Sequence, residues 1–479
     1  MSENLNSVGR DNGHRDEEEG HVHYHGVDKA EEHIKVDLAL GKLLAEIAPV
    51  RPETISLDGA WNRVLFHDIT SHSYVPKMAR STRDGFAVRL PKTRAAEMTK
   101  TSPLEFSIVG EVRIGTIPEI SLKKDWEAAI VATGSYVPEG TSAVVMKEYA
   151  IRLGANMLSV GRTIRERENI LPPGADIERG DTLLRAGTRL HPTHIALLSM
   201  LGVWKVKVYR RPRVAFFSTG DELLDLGQST RENSKRGDKD PRKENKDSGA
   251  RIFDSTRPFV RSALEELGVE PCDLGIARDN FTEIKAKMLN GLQAYDALFL
   301  SAGSSVGERD YVGRAADAIR GVRMLVHGVA MRPSSPTGLA VYHGKPFILL
   351  PGFPTSAIVS FFVFGLAAIG KLSGLALHAE EHAGSLVETL GLVHPVTYAT
   401  LLDEYHTQKA GITHFLRVHV SRERKVKNGR TRFIAQIVKP TEAYYSRWLS
   451  EANGIAVIEG GRYSTKGEKE VPVLLFGRV

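Results

Sequence analysis

Residues 213–222 read RVAFFSTGDE, and this stretch decides the fold. Its first part, 214–217, is a short unbroken apolar run, which is typical of a strand that helices cover on both faces. Its second part, 218–222, changes at once to small, hydroxyl-bearing and acidic residues. In an open α/β sheet, ligands bind beyond the carboxyl ends of the strands. The stretch therefore predicts a buried strand and one edge of a binding site.

Further apolar strand-like segments follow toward the C-terminus, with helical segments between them. Three more strand-like segments are predicted at residues 271–276, 297–300 and 347–350. Helix-period segments at 259–267, 281–292 and 314–319, and an apolar helix from Ala357, lie between and after them. Strand alternating with helix predicts an α/β multidomain protein whose central domain holds a doubly wound, mostly parallel sheet.

The regions on both sides of this domain are β-rich. Strand-like segments occur at 106–109, 128–131 and 143–146, and alternating segments around Asn428 and Gly429 predict a hairpin. The predicted division is a His-rich tail at 1–33, a split helical and linker domain at 34–75 and 150–209, a small β-rich domain at 76–149, an α/β domain at 210–374 and a β domain at 375–479. The tail and an insertion at 228–249 are polar and charged, so both are predicted to be disordered.

Composition excludes several classes of protein. The chain has 479 residues, of which 42% are apolar and 25% charged, which rules out a wholly disordered, collagenous or coiled-coil protein. The longest apolar stretch, 357–369, falls short of the roughly 20 residues that a membrane span needs. A single cysteine, Cys272, suits a reducing compartment, and the N-terminus carries no apolar leader, so we expect a cytoplasmic protein. The net charge of +6 is small for this length, so no nucleic acid is expected as a partner.

Residues suited to phosphate follow two of the predicted strands. The third strand is followed by Gly303, Ser304, Ser305 and Gly307, and such residues let backbone N–H groups approach a phosphate closely. The fourth strand is followed by a helix that opens with Thr355 and Ser356, and a helix start favours an anion.

Carboxylates follow three of the strands. Glu222, Asp279 and Asp310 come after the first, second and third strands, and they could converge on Mg²⁺, which takes carboxylate and phosphate oxygens. Any one such loop is common in proteins. Four polar loops at successive strand ends predict a nucleotide or another phosphate-bearing ligand, held with magnesium.

Longer motifs make the chain recognisable. Residues 81–88 read STRDGFAV, 133–140 read TGSYVPEG, 173–177 read PGADI, 218–223 read STGDEL, 350–354 read LPGFP and 452–454 read ANG. In this order, from about residue 35 to the end, the chain resembles the molybdopterin molybdenumtransferase family, the molybdate-inserting enzymes that include the E domain of gephyrin.

The resemblance implies a reaction and an architecture. Adenylylated molybdopterin would be cleaved in the presence of molybdate (or tungstate) and Mg²⁺ to give molybdenum cofactor and AMP. The family architecture has a split N-terminal half, the α/β domain and a C-terminal β-barrel. It also implies a homodimer in which a second subunit completes the cleft.

The resemblance also assigns roles to residues. It implies that the catalytic carboxylates are Asp84, Asp176, Glu222, Asp279 and Asp310, of which the last three bind the metal. It implies that the ligand is bound by Thr133, Thr219, Gly220, Asp221, Gly303, Ser304, Ser305, Gly307, Arg332, Pro351, Gly352 and Ser356.

The basic residues depart from the family pattern. Where the family reads M-K-P-G-K-P, residues 331–336 read MRPSSP, so Arg332 keeps one cation and Ser335 loses the other. The family's N-[IV]-R loses its arginine to Leu171, and its G-G-x-S-x-G loses one glycine to Ala302.

Because cations are lost, a second hypothesis stays open. The chain could be a divergent homologue that binds molybdopterin as a carrier or regulator. A third hypothesis, an enzyme that adenylylates molybdopterin, is the least favoured, because such enzymes lack the N-terminal half and the C-terminal barrel.

Overall fold

The computed structural model describes residues 33–91, 103–226, 251–302, 311–377, 385–406, 410–423, 432–439, 446–459 and 469–477. They form two compact units, taken from Met1–Ala48, Pro212–Gly370 and Leu377–Val479 (the α/β-barrel unit), and from Pro49–Arg211 and Lys371–Ala376 (the β-rich unit). Several predictions fall outside the described residues: the tail up to residue 32, the insertion at 228–249, and Gly303, Ser304, Ser305, Gly307 and Asp310. Helices and strands are numbered along the whole chain.

A six-stranded sheet is the centre of the α/β-barrel unit. Its strands are β13 (Arg213–Thr219), β16 (Glu270–Ala277), β17 (Ala297–Ala302), β18 (Val322–His327), β20 (Gly338–Tyr342) and β21 (Lys345–Pro351). They lie in the order β16-β13-β17-β21-β20-β18. The first four run parallel, and β20 pairs antiparallel with both β21 and β18. The predicted α/β fold with a mostly parallel sheet is confirmed, and the antiparallel pair at one edge is an addition.

Helices pack on both faces of this sheet. They are α3 (Thr256–Glu266), α4 (Phe281–Ala294), α5 (Tyr311–Asp317), α6 (Pro354–Ser360) and α7 (Leu366–Leu372). On one face, Phe217 and Leu298 pack against α4 and α5. On the other face, the ring of Phe299 lies 5.5 Å from that of Phe361, which lies 5.4 Å from that of Phe259 on α3. Alternate residues of the apolar strands therefore feed two separate cores, and the sheet is doubly wound.

The most apolar helical stretch is buried in the protein. It runs from Pro354 to Leu372, with a π-helical turn at Phe361–Gly365 between α6 and α7. By length and composition it could cross a membrane, since its most apolar window has a mean hydropathy of 1.8, but 94% of that window is buried. The stretch is therefore accounted for as a core helix.

The first helix lies on the sheet. It is α1 (Val36–Glu46), which contacts β18, β20 and β21. The sequence grouped this helix with the N-terminal linker domain, and the structure places it in the α/β-barrel unit instead. Its apolar side, which includes Leu40 and Leu43, is buried.

A closed five-stranded barrel follows the α/β domain. Its strands are β22 (Val396–Leu401), β23 (Thr413–Glu423), β24 (Arg432–Ile437), β25 (Gly454–Ile458) and β26 (Lys469–Leu475), and short helices α8 (Leu386–Gly391) and α9 (Trp448–Glu451) lie beside them. The strands pair in the order β23-β24-β22-β26-β25 and back to β23. The barrel is confirmed, as is the antiparallel pairing of β23 with β24, whose predicted turn lies outside the described residues. A short strand of the α/β domain, β19 (Met331–Arg332), adds parallel to β23.

The β-rich unit holds one larger sheet and several short pairs. The sheet is formed by β4 (Gly85–Val88), β5 (Leu104–Val112), β6 (Glu127–Val131), β7 (Ala143–Met146), β8 (Ala150–Arg152) and β9 (Met157–Val160). The pairs are β1 (Pro52–Ser56) with β12 (Lys205–Tyr209), β2 (Ile69–Thr70) with β11 (Thr182–Leu184), and β3 (Arg80–Ser81) with β10 (Ile170–Leu171), and α2 spans Pro192–Met200. Each pair joins an early segment to a late one. The proposed domain boundaries within this unit stay a prediction.

A buried arginine ties three segments of the α/β domain together. Arg257, which is 6% exposed, bonds to Asp254 (Nε–Oδ2 2.7 Å), Asp273 (Nη1–Oδ1 2.8 Å) and Asp225 (Nη2–Oδ2 3.0 Å). Burial alone would raise the pKa of Asp273, but hydrogen bonds from Arg257, from the backbone of Gly275 and from Arg261 hold it below its ordinary value. One buried cation therefore joins the three carboxylates.

We expect Arg257→Met to lower the free energy of unfolding by about 3–5 kcal/mol, because it removes the cation that pairs with the buried carboxylate of Asp254 and with those of Asp273 and Asp225. Urea denaturation at pH 7 measures this loss. Arg261→Met is the matched control: its side chain is 50% exposed and also bonds to Asp273, so it should cost at most about 1 kcal/mol. An Arg257 variant as stable as the Arg261 variant would contradict the prediction.

The loss should also depend on pH. Since the pKa of Asp273 is lowered in the folded state, its contribution is present above its unfolded-state pKa, about 4. It is lost as the pH falls through the lower folded-state pKa. The difference in stability between wild type and Arg257→Met should therefore shrink in strong acid, and a constant difference would contradict the account.

Candidate functional site

A cleft of about 500 Å³ opens at the carboxyl ends of β13, β17 and β21. It is lined by Thr219, Glu222, Leu223, Ile252, Phe253, Asp254, Ser255, Thr256, Ser301, Ala302, Gly352, Phe353 and Pro354. From β13 the chain passes to β16 on one side and then to β17 on the other, so the cleft lies at the topological switch point of the sheet. This is the edge that the sequence indicated.

The loop after β13 brings acidic groups to this edge. Gly220 has a φ of +149°, and a Cβ atom there would lie 2.6 Å from Oε2 of Glu222, so the turn requires glycine. Asp221 Oδ1 accepts a hydrogen bond from the backbone N–H of Asp279 at 3.3 Å. The structure therefore brings together three of the predicted residues, Gly220, Asp221 and Glu222, and joins their loop to Asp279 at the end of β16.

The magnesium ligands that the sequence predicted are only partly described. Among the described residues, no group of three or more His, Cys, Asp or Glu side chains could hold a metal ion. Glu222 and Asp279 are exposed at the ends of neighbouring strands, whereas Asp310 is not among the described residues. Two carboxylates suit an ion that takes its other oxygens from phosphate and water, as Mg²⁺ does, rather than a cage built by the protein alone.

One wall of the cleft is apolar and exposed. Ile252 is 58% exposed, Phe253 43% and Phe353 55%. Ile252 and Phe253 form β15 (Ile252–Phe253), which pairs with β14 (Leu223–Leu224) and is held by a 2.9 Å hydrogen bond from Ile252 N to Glu222 O. Sequence reasoning missed this wall, although an aromatic residue soon after a long polar insertion and another within LPGFP were available signals.

The start of α3 is already occupied by a carboxylate. Asp254, which is 4% exposed, accepts hydrogen bonds at Oδ1 from the backbone N–H groups of Thr256 (2.9 Å) and Arg257 (3.3 Å). A helix N-terminus can bind an anionic ligand only while its N–H groups are unpaired. This side of the cleft therefore does not present an anion site.

Thr355 and Ser356, at the start of α6, bond to the barrel and to a turn, the first through its hydroxyl and the second through its carbonyl. Thr355 is 1% exposed, and its Oγ1 accepts a 2.8 Å hydrogen bond from Nε1 of Trp448 on α9. Ser356 is 5% exposed, and its carbonyl accepts a hydrogen bond from Oγ of Ser334. The sequence predicted both residues at an anion site, whereas the structure buries both and leaves Gly352 exposed at the cleft; Pro351, just before it, is buried.

Arg332 is an exposed cation that pairs with no carboxylate of the described residues. It lies on β19, directly opposite His414 of β23, and among the described residues it makes no ion pair. Ser334, two residues later, has a φ of +93° and is fixed to Ser356 as described above. This turn connects Arg332 to the helix whose first residue, Pro354, lines the cleft.

The β-rich unit brings Asp84 and Thr133 together, one from each of two motifs. Oδ1 of Asp84 accepts hydrogen bonds from the backbone N–H (2.8 Å) and Oγ1 (2.9 Å) of Thr133, and Nζ of Lys147 lies 3.5 Å from Oδ2. These contacts, led by the Thr133 N–H, lower the pKa of Asp84. Gly85 lets β4 meet β7, because a Cβ atom there would lie 1.9 Å from the carbonyl oxygen of Val145. Lys147 was missed, since an exposed lysine carries no signal in a single sequence.

The other predicted residues of this unit lie apart from that contact. Asp176 is exposed, and its backbone N–H donates to the carbonyl of Val75 at 3.0 Å. Leu171, which replaces the family's arginine, lies opposite Arg80 in the β3–β10 pair. The guanidinium of Arg80 lies over the ring of Tyr136, 4.9 Å from its centroid.

Known proteins match this chain along most of its length. A family described as "MoeA N-terminal region (domain I and II)" matches residues 34–202, and one described as "Probable molybdopterin binding domain" matches residues 215–371. The molybdopterin molybdenumtransferase of Haemophilus influenzae is 29% identical over 363 residues, which cover 75% of this chain and 82% of that protein. That of Staphylococcus epidermidis is 27% identical over 365 residues, which cover 76% and 82%. The chain belongs to the molybdopterin molybdenumtransferase family.

Solved structures agree with membership of this enzyme family. Two crystal structures of the molybdopterin biosynthesis MoeA protein from Pyrococcus horikoshii match this chain with TM-scores of 0.71 and 0.72. Sequence identity is 25% and 24%, and the matches cover 94% and 93% of this chain and 100% of each other chain. The family fold therefore extends over nearly the whole chain, including the barrel.

We expect Thr133→Val to raise the pKa of Asp84 toward its ordinary value, because it removes the hydroxyl that bonds to Oδ1. The carboxyl ¹³C shift of Asp84, followed against pH, measures the change. Lys147→Met should raise this pKa less, since its contact is longer. Thr141→Val is the matched control, because that hydroxyl donates to the carbonyl of Pro138 and should leave the titration unchanged. A Thr133→Val titration identical to that of wild type would contradict the account.

Proposed function

We propose that this protein inserts molybdate, or tungstate, into adenylylated molybdopterin and releases AMP, as a step of molybdenum cofactor synthesis. The observation that carries the proposal is the composition of one region: a cleft with acidic residues on one side and exposed aromatic rings on another, joined by one turn to an arginine that pairs with no carboxylate in the described part of the chain. The acidic residues suit a metal ion, the aromatic rings suit a nucleotide or pterin, and the arginine suits an oxyanion. The lone cysteine, Cys272, fits the cytoplasmic location expected for such an enzyme.

The cleft suits a ligand that has flat rings and phosphates. Phe253 and Phe353 expose apolar area that a pterin or adenine ring would cover, and covering it is favourable. Thr219 and Ser301 end neighbouring strands at the floor of the cleft, and Gly352 exposes backbone there. Gly303, Ser304, Ser305 and Gly307 stay predicted phosphate contacts.

Glu222 and Asp279 are the described residues that would hold Mg²⁺, together with Asp310. When bound, the ion would neutralise the negative charge of the phosphates as the pyrophosphate bond breaks. In that step water attacks one phosphorus, the P–O bond to the other phosphate breaks, and the products are AMP and the phosphate of molybdopterin. The exposed Glu222 carboxylate is free to bind the ion, since Gly220 leaves room for it.

We expect Glu222→Gln to slow AMP release by about a hundredfold or more, because charge stabilisation by a held cation is worth several kcal/mol. The assay follows AMP from adenylylated molybdopterin with Mg²⁺ and molybdate. Glu265→Gln on α3 is the matched control, since that exposed carboxylate is not among the lining residues of the cleft. Unchanged turnover in Glu222→Gln, with both variants folded, would remove the sheet edge from the reaction.

Arg332 is proposed to bind the oxyanion. We expect Arg332→Ala to raise the molybdate concentration needed for insertion about ten- to a hundredfold, the loss of a charge-assisted hydrogen bond. The control is Arg323→Ala, an exposed arginine of β18 that pairs with Glu46. Ser335→Lys should lower the required concentration if the chain follows the family's path. If neither change alters molybdate dependence, Arg332 does not serve the oxyanion.

The loss of cations favours one alternative, a carrier or regulator that binds the pterin without reacting. The observations behind it are Ser335 and Leu171, which stand where the family has lysine and arginine. Binding of adenylylated molybdopterin without AMP release would support it. The assignment of Asp84, Asp176 and Thr133 to the reaction, and a homodimer whose site draws on two copies, also stay proposals. Recovery of activity on mixing Asp84→Asn with Glu222→Gln protein would support a shared site.

A further inference from the structure

A tyrosine and a histidine form a largely buried pair beside Arg332. The hydroxyl of Tyr405 lies 2.8 Å from Nδ1 of His414, and the two ring centroids are 5.6 Å apart. His414 is 7% exposed and lies on β23, where it is the register partner of Arg332 on β19. No sequence motif indicated either residue.

The charges around this pair are positive. Burial lowers the pKa of His414, and Arg332 lowers it further. Burial raises the pKa of Tyr405, and Arg332 and Arg417 oppose that rise. No described carboxylate acts on either group, and Glu404 is paired with His406 at 3.1 Å. At neutral pH the pair is therefore an uncharged imidazole and an uncharged phenol, set among arginines.

An uncharged imidazole is a directional donor. It carries one N–H, on one of its two nitrogens, and the other nitrogen accepts. If the Tyr405 hydroxyl donates to Nδ1, the proton of His414 is fixed on Nε2, which then donates away from the pair. Arg332 is the register partner of His414 on the neighbouring strand and acts on its pKa, so an anion bound by Arg332 lies next to this imidazole.

We propose that His414, oriented by Tyr405, is a second oxyanion donor beside Arg332, and that Tyr405 acts through it as a positioning residue. The proposal rests on the proposed function, because it takes the oxyanion as the ligand of Arg332. A neutral N–H adds a hydrogen bond without a further positive charge. Such a site binds a dianionic tetrahedral oxyanion less tightly than two cations would, which suits an anion that must be passed on.

The test is calorimetric titration of the full chain with molybdate alone. His414→Asn keeps a polar group near Nδ1 and removes the Nε2 donor, so the Kd should rise about two- to tenfold, as for one neutral hydrogen bond. His414→Gln places an N–H near Nε2 and should restore much of the affinity. His419→Asn is the matched control: this histidine is on the same strand, is exposed, and lies with Nδ1 3.0 Å from the carbonyl of Glu451.

Two further measurements address Tyr405. Tyr405→Phe keeps the ring and its packing, so it should fold, and it should also raise the Kd. Combined with His414→Asn it should add little, because both act through one donor. The ¹⁵N shifts of His414 should show the Nε2–H tautomer in wild type and a mixture of tautomers in Tyr405→Phe.

The outcomes separate the two proposals. If Arg332→Ala weakens molybdate binding and His414→Asn does not, or if wild type shows the Nδ1–H tautomer, the role of His414 is overturned while the proposed function stands. If wild type neither binds molybdate nor inserts it, the proposed function fails and this inference fails with it.

Discussion

The reversal of winding between β13 and β17 is the constraint on which the candidate site depends. After β13 the chain returns through α3 on one face of the sheet, and before β17 it returns through α4 on the other face. The connections leave the sheet in opposite directions, so the carboxyl ends of these strands cannot be covered by either helix. Thr219, Ser301 and Gly352 line a cleft for this reason, and the acidic loop at Gly220–Glu222 borders it.

The second constraint is the attachment of the barrel to the start of α6. Trp448 bonds to Thr355, Ser334 bonds to Ser356, and β19 adds to the barrel strand β23. Among these contacts, the one to Thr355 uses a hydroxyl that the sequence offered as a ligand contact, whereas Ser356 is bonded through its carbonyl. These contacts also fix the positions of Arg332, His414 and Tyr405 relative to α6, whose first residue lines the cleft. Polar groups that follow a strand can therefore serve the structure, and the residues that they fix are the ones we propose to contact the ligand.

The sequence predicted much of the fold because its strongest signals were local. Strands such as β13 and β17 are unbroken apolar runs, and β23 and β24 flank a turn signal. The antiparallel pairing of β18 with β20 was not predicted, because a short mixed segment such as VRMLVH shows no clear period. Helix α1 packs on β18, β20 and β21, which its own sequence could not show, since a periodic pattern indicates a buried face and not what covers it. Asp84 and Thr133 each belong to a motif that the sequence shows. Lys147, Phe253, Phe353 and the Tyr405–His414 pair depend instead on contacts between distant segments, which no local pattern records.

The central claim is that one protein both cleaves the pyrophosphate bond and inserts the metal. A single-turnover reaction tests it most directly: enzyme in excess over adenylylated molybdopterin, with Mg²⁺ and molybdate, quenched at intervals and analysed for AMP and for metal-loaded pterin. The account predicts that the two products form together, in equal amounts, and that neither forms without the enzyme. Bound pterin that persists with no AMP, or AMP that forms without any loaded pterin when molybdate is present, would contradict it.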